Sequence, residues 1–207
     1  RATLVVSAML LCLLLPALVQ SAPLPSPSDA SPAFREAAER AKLLLEKILR
    51  DVATVHTATV TAEGLTLDSS QTSGLHMMSL SLGIPPAPVL KPLSQRFTLD
   101  MLVSRMLAGC RQYQGLLGVL SDKLSGLTEL NADLGELLTH IATMREAAEL
   151  TETDETASSD LASRLHGDYE VQVTAHMTLV QLRSFCHDLM RSLRTVAPQR
   201  PQAAGTR

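Results

Sequence analysis

Residues 94–120 read SQRFTLDMLVSRMLAGCRQYQGLLGVL. Within them Leu99, Val103, Met106, Cys110, Tyr113, Leu117 and Leu120 recur at steps of 4 and 3 without a break. That rhythm puts all seven on one face of an α-helix, whereas a strand would need alternation. Gly109, Gly115 and Gly118 each cost about 1 kcal/mol relative to Ala in a helix. Their presence predicts close approach of a neighbouring helix, or a bend. Three more segments keep the same rhythm. Ala41, Leu45, Ile48, Val52 and Val55 mark a helix over 33–56, with Ser31 as its N-cap and Pro32 at its first position. Leu127, Leu130, Leu134, Leu137, Ile141, Met144 and Ala148 mark one over 122–149. Ala175, Leu179, Leu182, Cys186, Leu189, Leu193 and Val196 mark a fourth, starting within 161–168 and ending before Pro198. Four narrow apolar faces need one another, which predicts an all-α four-helix bundle over 33–197.

The connections bear on topology. Residues 57–93 far exceed what a hairpin needs. Within them Ser79–Pro88, SLSLGIPPAP, carries Pro85, Pro86 and Pro88, which fix φ and lack a donor, and Gly83, which frees it. The run is expected to be an extended, apolar connector outside any helix and packed on the bundle. Thr57–Thr72 reads as irregular, with turns at Gly64 and Gly74. The second and third helices meet around Ser121 and are expected to be antiparallel neighbours. The acidic, Ser/Thr-rich stretch Thr151–Asp160 leads to the fourth helix. A third helix of about 42 Å outruns the roughly 35 Å reach of ten residues. An overhand crossover therefore needs the last helix to begin nearer Gly167. Periodicity alone permits up-down-up-down equally well.

Residues 1–21 read as a signal peptide. Met9–Leu15 is apolar but too short to span a bilayer, and Val19-Gln20-Ser21 offers small residues for cleavage. Residues 22–32 read as a flexible leader and 198–207 as a loose tail. The chain is acidic overall, with a formal net charge of −3, which argues against nucleic acid as a partner. Of its three cysteines, Cys110 and Cys186 lie outside the signal segment and on core stripes, where free thiols act as small hydrophobes. No catalytic motif, metal-ligand spacing or cofactor motif is present, so no enzyme, metal or cofactor is expected. His176 and His187 are too far apart along one helix to share a metal. Asp133 and Glu136, at i and i+3, read as an exposed acidic face. Lys42, Glu46, Lys47 and Arg50 read as the polar side of the first helix, with Glu46–Arg50 an i, i+4 pair.

Ser79–Pro88 and Tyr113-Gln114-Gly115-Leu116-Leu117 together resemble the granulocyte colony-stimulating factor family of long-chain helical cytokines, within the interleukin-six group. Ser184-Phe185 and Leu193-Arg194 in the last helix resemble it too. The resemblance implies an up-up-down-down bundle with long crossover connections. It implies a secreted growth factor, monomeric when free, that bridges class I cytokine receptor ectodomains and promotes proliferation, survival and differentiation of granulocyte-lineage cells, with no membrane insertion. It also implies two receptor-binding surfaces. One is Lys42, Glu46, Lys47, Arg50, Asp133 and Glu136. The other is Leu75, His76, Ser81 and Tyr169. The chain departs from the family at Gly74, where the family has an acid. It also lacks the family's disulfide cysteines, one of whose positions falls on Leu102. The alternatives are another interleukin-six-type cytokine, or a secreted lipid carrier built on amphipathic helices, which would show wider apolar faces and Pro-punctuated repeats.

Overall fold

The computed structural model describes residues 31–68, 73–151 and 161–197. The expected signal peptide, most of the expected leader and the expected tail lie outside the described residues, as do 152–160 of the acidic stretch. The described chain is all-α, with helices α1 (Pro32–Thr59), α2 (Ser73–Leu82), α3 (Leu99–Ser121), α4 (Thr128–Ala147) and α5 (Asp168–Val196). A 3-10 turn at Ala162–Arg164 precedes α5.

Helix α1 starts where its caps dictate. Ser31 Oγ accepts from the Phe34 amide at 3.2 Å, and Pro32 fills the first position, inside the expected leader. The helix runs three residues past His56, to Thr59. Helix α3 begins five residues later than the periodicity suggests. Ser94 and Phe97 exchange backbone hydrogen bonds in a tight turn, and Thr98 Oγ1 then caps α3 by accepting from Met101 N. Phe97 is buried, so its apolar character serves the turn and not the helix. Helix α4 likewise starts at Thr128 and not at Asp122. The Leu120 carbonyl accepts from Lys123 N and Leu124 N, closing α3, and Gly126 takes φ +89°, which a helix cannot continue through.

The long connector corrects a second expectation. Ser79–Leu82 form the last turn of α2, and Gly74 lies inside that helix. The prolines constrain only residues from Ile84 onward. Gly83, at φ +72°, ends α2 with its amide on Leu80 O. Beyond it the connector is extended and packed. Ile84 is buried, and Gln112 Nε2 donates to the carbonyls of Pro85 and Pro86 at 3.0 and 3.2 Å. Further along, Arg105 donates to Val89 O and lies over the Phe97 ring.

The four long helices enclose one core. Helix α1 runs antiparallel to α4, with Ser31 Oγ on Ala147 O and Lys47 on Asp133. It also runs antiparallel to α5, with His56 against His176 and Lys42 beside Met190. Helix α3 runs antiparallel to α4, with Asp100 bonded to Thr151 and Gly135 against Gln114. It runs antiparallel to α5 too, with Gly109 against Phe185 and Leu102 near Thr195. Helix α2 lies on the outside of α5. Cys110 and Cys186 are buried and unpaired, and burial pushes the Cys110 thiol up to about 12.

Of the three glycines in α3, one mediates close packing. A Cβ at Gly109 would sit 2.2 Å from Phe185 Cζ, while nothing lies within 4 Å of one at Gly115 or Gly118. Gly109→Ala therefore loses stability by about 1–3 kcal/mol through overpacking, despite its better helix propensity. Gly115→Ala gains about 0.5–1 kcal/mol. Urea midpoints of the two variants should move in opposite directions.

Candidate partner-binding surfaces

The first expected surface is divided by the packing. Lys47, on α1, reaches across to α4, where its Nζ lies 2.5 Å from Asp133 and 3.2 Å from Glu129. It also lies 3.4 Å from Asp51 on its own helix, and this pair takes the i, i+4 place expected of Glu46–Arg50. The Asp133 hydrogen bond, with help from Glu129 and Asp51, holds the Lys47 ammonium charged well above its ordinary range. Asp133 is only 9% exposed, so the expectation of an exposed acid fails there. The carboxylate sits one residue before core Leu134 and is satisfied by Lys47, which makes it an interhelical tie.

Lys42 is a second correction. It is 8% exposed, next in the chain to core Ala41 and lining one depression with Met190 and Arg194 of α5. Its Nζ bonds Glu39 at 2.6 Å. Glu46, Arg50 and Glu136 are exposed as expected. Glu136 keeps a local contact, 3.5 Å from His140 Nε2. Leu43, 67% exposed and at i−3, i−4 and i−7 from Glu46, Lys47 and Arg50, shares their face of α1. Its place outside the stripe of Ala41, Leu45 and Ile48 was the available signal.

The second expected surface combines α2 with the start of α5. His76, Ser81 and Tyr169 are exposed, and Leu75 is half-buried against the core. Ser81 Oγ donates back to Met78 O. Met77 and Leu80 are also exposed, which leaves α2 apolar on its outer as well as its inner face. No residue from Ser73 to Leu82 is an Asp, Glu, Lys or Arg. The end of α2 meets the approach to α5 directly, since a Cβ at Gly83 would lie 2.8 Å from Arg164 Nη1. Tyr169 follows in the first turn of α5. There Glu170 Oε2 accepts from the amides of His166 and Gly167, and these bonds hold its carboxyl below the usual range.

Among the described residues no three His, Cys, Asp or Glu side chains gather as a metal site, and no helix is long and apolar enough to cross a membrane. His187 is exposed, while His176 is buried against His56 and not against any residue of its own helix. The chain matches no protein-family model and no curated protein sequence.

Two outcomes follow from these contacts. Asp133→Asn lowers the unfolding midpoint more than Glu129→Gln does, and the gap narrows as salt rises. Glu170→Gln removes a cap whose stabilisation is full above the ordinary carboxyl value and lost as pH falls through the lowered one. Its destabilisation, read from thermal melts, is therefore largest at neutral pH and shrinks in acid.

Proposed function

We propose that this protein is a secreted helical cytokine of the granulocyte colony-stimulating factor type, which does no chemistry and acts by bridging class I receptor chains. The observation that carries the reading is the set of four antiparallel contacts, α1 with α4 and α5, and α3 with α4 and α5. They support an up-up-down-down order with two long overhand connections. The start of α5 at Asp168, at the far end of the expected window, supports the second of these. Residues 148–167 comfortably outreach α4, a helix of about 30 Å.

The two polar and apolar faces fit a bridging role. Glu46, Arg50 and Glu136 present charges that no interhelical tie consumes, and such charges steer a partner and fix its register. Exposed Leu43 lies beside them. Tyr169, 59% exposed, offers an aromatic anchor beside a helix whose outer face is Met77 and Leu80. Bridging would let Janus kinases carried by the receptor chains activate each other.

The test is binding of the secreted, signal-cleaved protein to the granulocyte colony-stimulating factor receptor ectodomain of the same species, with the mass of the complex measured. Saturable assembly with more than one receptor is expected. Absence of binding by a well-folded protein overturns the assignment. Glu46→Ala and Glu136→Ala are each expected to weaken binding while leaving helicity and melting temperature within error. Loss of fold in parallel with binding would remove these residues from the surface.

A further inference from the structure

His56 lies in the last turn of α1 and His176 in the third turn of α5. Their Nε2 and Nδ1 atoms are 2.9 Å apart, the rings meet edge to face at 5.2 Å, and the residues are 4% and 0% exposed. At that separation a single proton fits between the two nitrogens. A ring charged through its outer nitrogen keeps that bond, but two charged rings put N–H against N–H and set two imidazolium rings against each other in the core. The remaining nitrogen of His176, Nε2, is buried without a hydrogen-bond partner among the described residues, so none of them offers an acceptor for the proton of a charged ring.

Among the described residues no carboxylate or cation bonds to the pair. On α1, Asp51 is taken by Lys47; on α5, Glu170 is taken by the His166 and Gly167 amides, and Arg183 by Asp68. On α4, Glu129 and Asp133 are taken by Lys47, and His140 lies beside Glu136. On α3, Arg105 lies over Phe97, while Cys110 and Tyr113 lie with Cys186 and Phe185 further along α5. Asp122 and Lys123, in the turn before α4, and Glu63, in the connector, are exposed.

One turn from His176, Gln172 clamps the segment that leaves α1. Its Oε1 accepts from Thr61 N at 2.7 Å and Ala62 N at 3.4 Å, and its Nε2 donates to Thr59 O at 3.2 Å. The histidine pair and this clamp form one continuous seam between the end of α1 and the start of α5.

We propose that the His56–His176 pair is an acid-sensitive latch, closed when neutral, whose protonation opens the seam and frees the Gln172-clamped segment Thr59–Ala62. Burial holds both imidazoles below their ordinary value, and His56 adds to the effect on His176. The stabilisation they give is therefore full above the unfolded value of 6.5 and lost as pH falls below it. Each proton that the folded chain refuses raises the unfolding constant about 25-fold between pH 7 and pH 5. The latch does not depend on the cytokine reading.

The test compares urea unfolding at pH 7, 6 and 5 for the native chain and for the double variant His56→Leu, His176→Leu. Hydrogen exchange at Thr61 and Ala62 is followed in the native chain, corrected for intrinsic rates. The native unfolding constant should rise about 25-fold or more from pH 7 to pH 5, and that of the double variant less than about fivefold. Thr61 and Ala62 should lose protection at pH 5 while the middle of α3 and α4 keeps it. Equal pH dependence in the two proteins, or unchanged protection at Thr61 and Ala62, overturns the latch. Should the double variant fail to fold, imidazole titration of the native protein by NMR decides the matter. Both rings should titrate below the ordinary imidazole value in molecules with an intact seam. Two charged rings in an intact seam overturn the proposal.

Discussion

The packing of α3 on α5 depends on the ring of Phe185 lying against the α3 backbone. The chain has five Phe and Tyr residues and no Trp, so its core is filled by thin aliphatic side chains. Such a core closes only if helix backbones come near one another. Gly109 permits this by letting the ring of Phe185 lie against the α3 backbone, where any Cβ would overlap it. Tyr113 packs on the same ring at 5.4 Å, with Cys110 and Cys186 as small neighbours. Helix α4 packs against α3 where Gly135 meets Gln114, and α1 packs on both α4 and α5.

Polar groups then divide into those that hold the helices and those left exposed. Lys47 with Asp133, and Gln172 with Thr59–Ala62, belong to the first group, because a fixed partner consumes their hydrogen-bonding capacity, whereas Lys42 is tied to Glu39 within α1. Glu46, Arg50 and Glu136 belong to the second. The division has a physical basis. A charge already desolvated and paired inside the fold gains little from a new partner, whereas an exposed one can steer and register it. The exposed candidate surface is therefore narrower in charge than a helical wheel suggests, and richer in apolar groups, through Leu43, Met77, Leu80 and Tyr169.

Much of the fold was legible from residue order. The stripe Leu99, Val103, Met106, Cys110, Tyr113, Leu117 and Leu120 is buried but for its first member, which is half-buried. Ser31 caps α1 as its chemistry requires. Helix boundaries were less legible where an apolar residue serves a turn, as at Phe97, or where a left-handed glycine interrupts an apolar run, as at Gly126. The prolines after Gly83 masked the helical turn at Ser79–Leu82, since their constraint reaches back only one residue. The candidate surfaces were half legible. Glu46, Arg50, Glu136, His76, Ser81 and Tyr169 are exposed, but periodicity gives a residue's direction about its own axis and not its distance from the next helix. Lys42 and Asp133 point toward the polar side and are nonetheless covered there.

The order of residues by itself determined that the chain is helical, where its four apolar stripes lie, and that two cysteines sit on them. These follow from backbone geometry and side-chain spacing, which are local. Only the tertiary structure decided which helices meet. It set His56 on His176, 120 residues apart in the chain, paired Lys47 with Asp133, and left Met77 and Leu80 uncovered. Those outcomes depend on the distances between backbones, which close packing of the whole core sets and no single segment encodes.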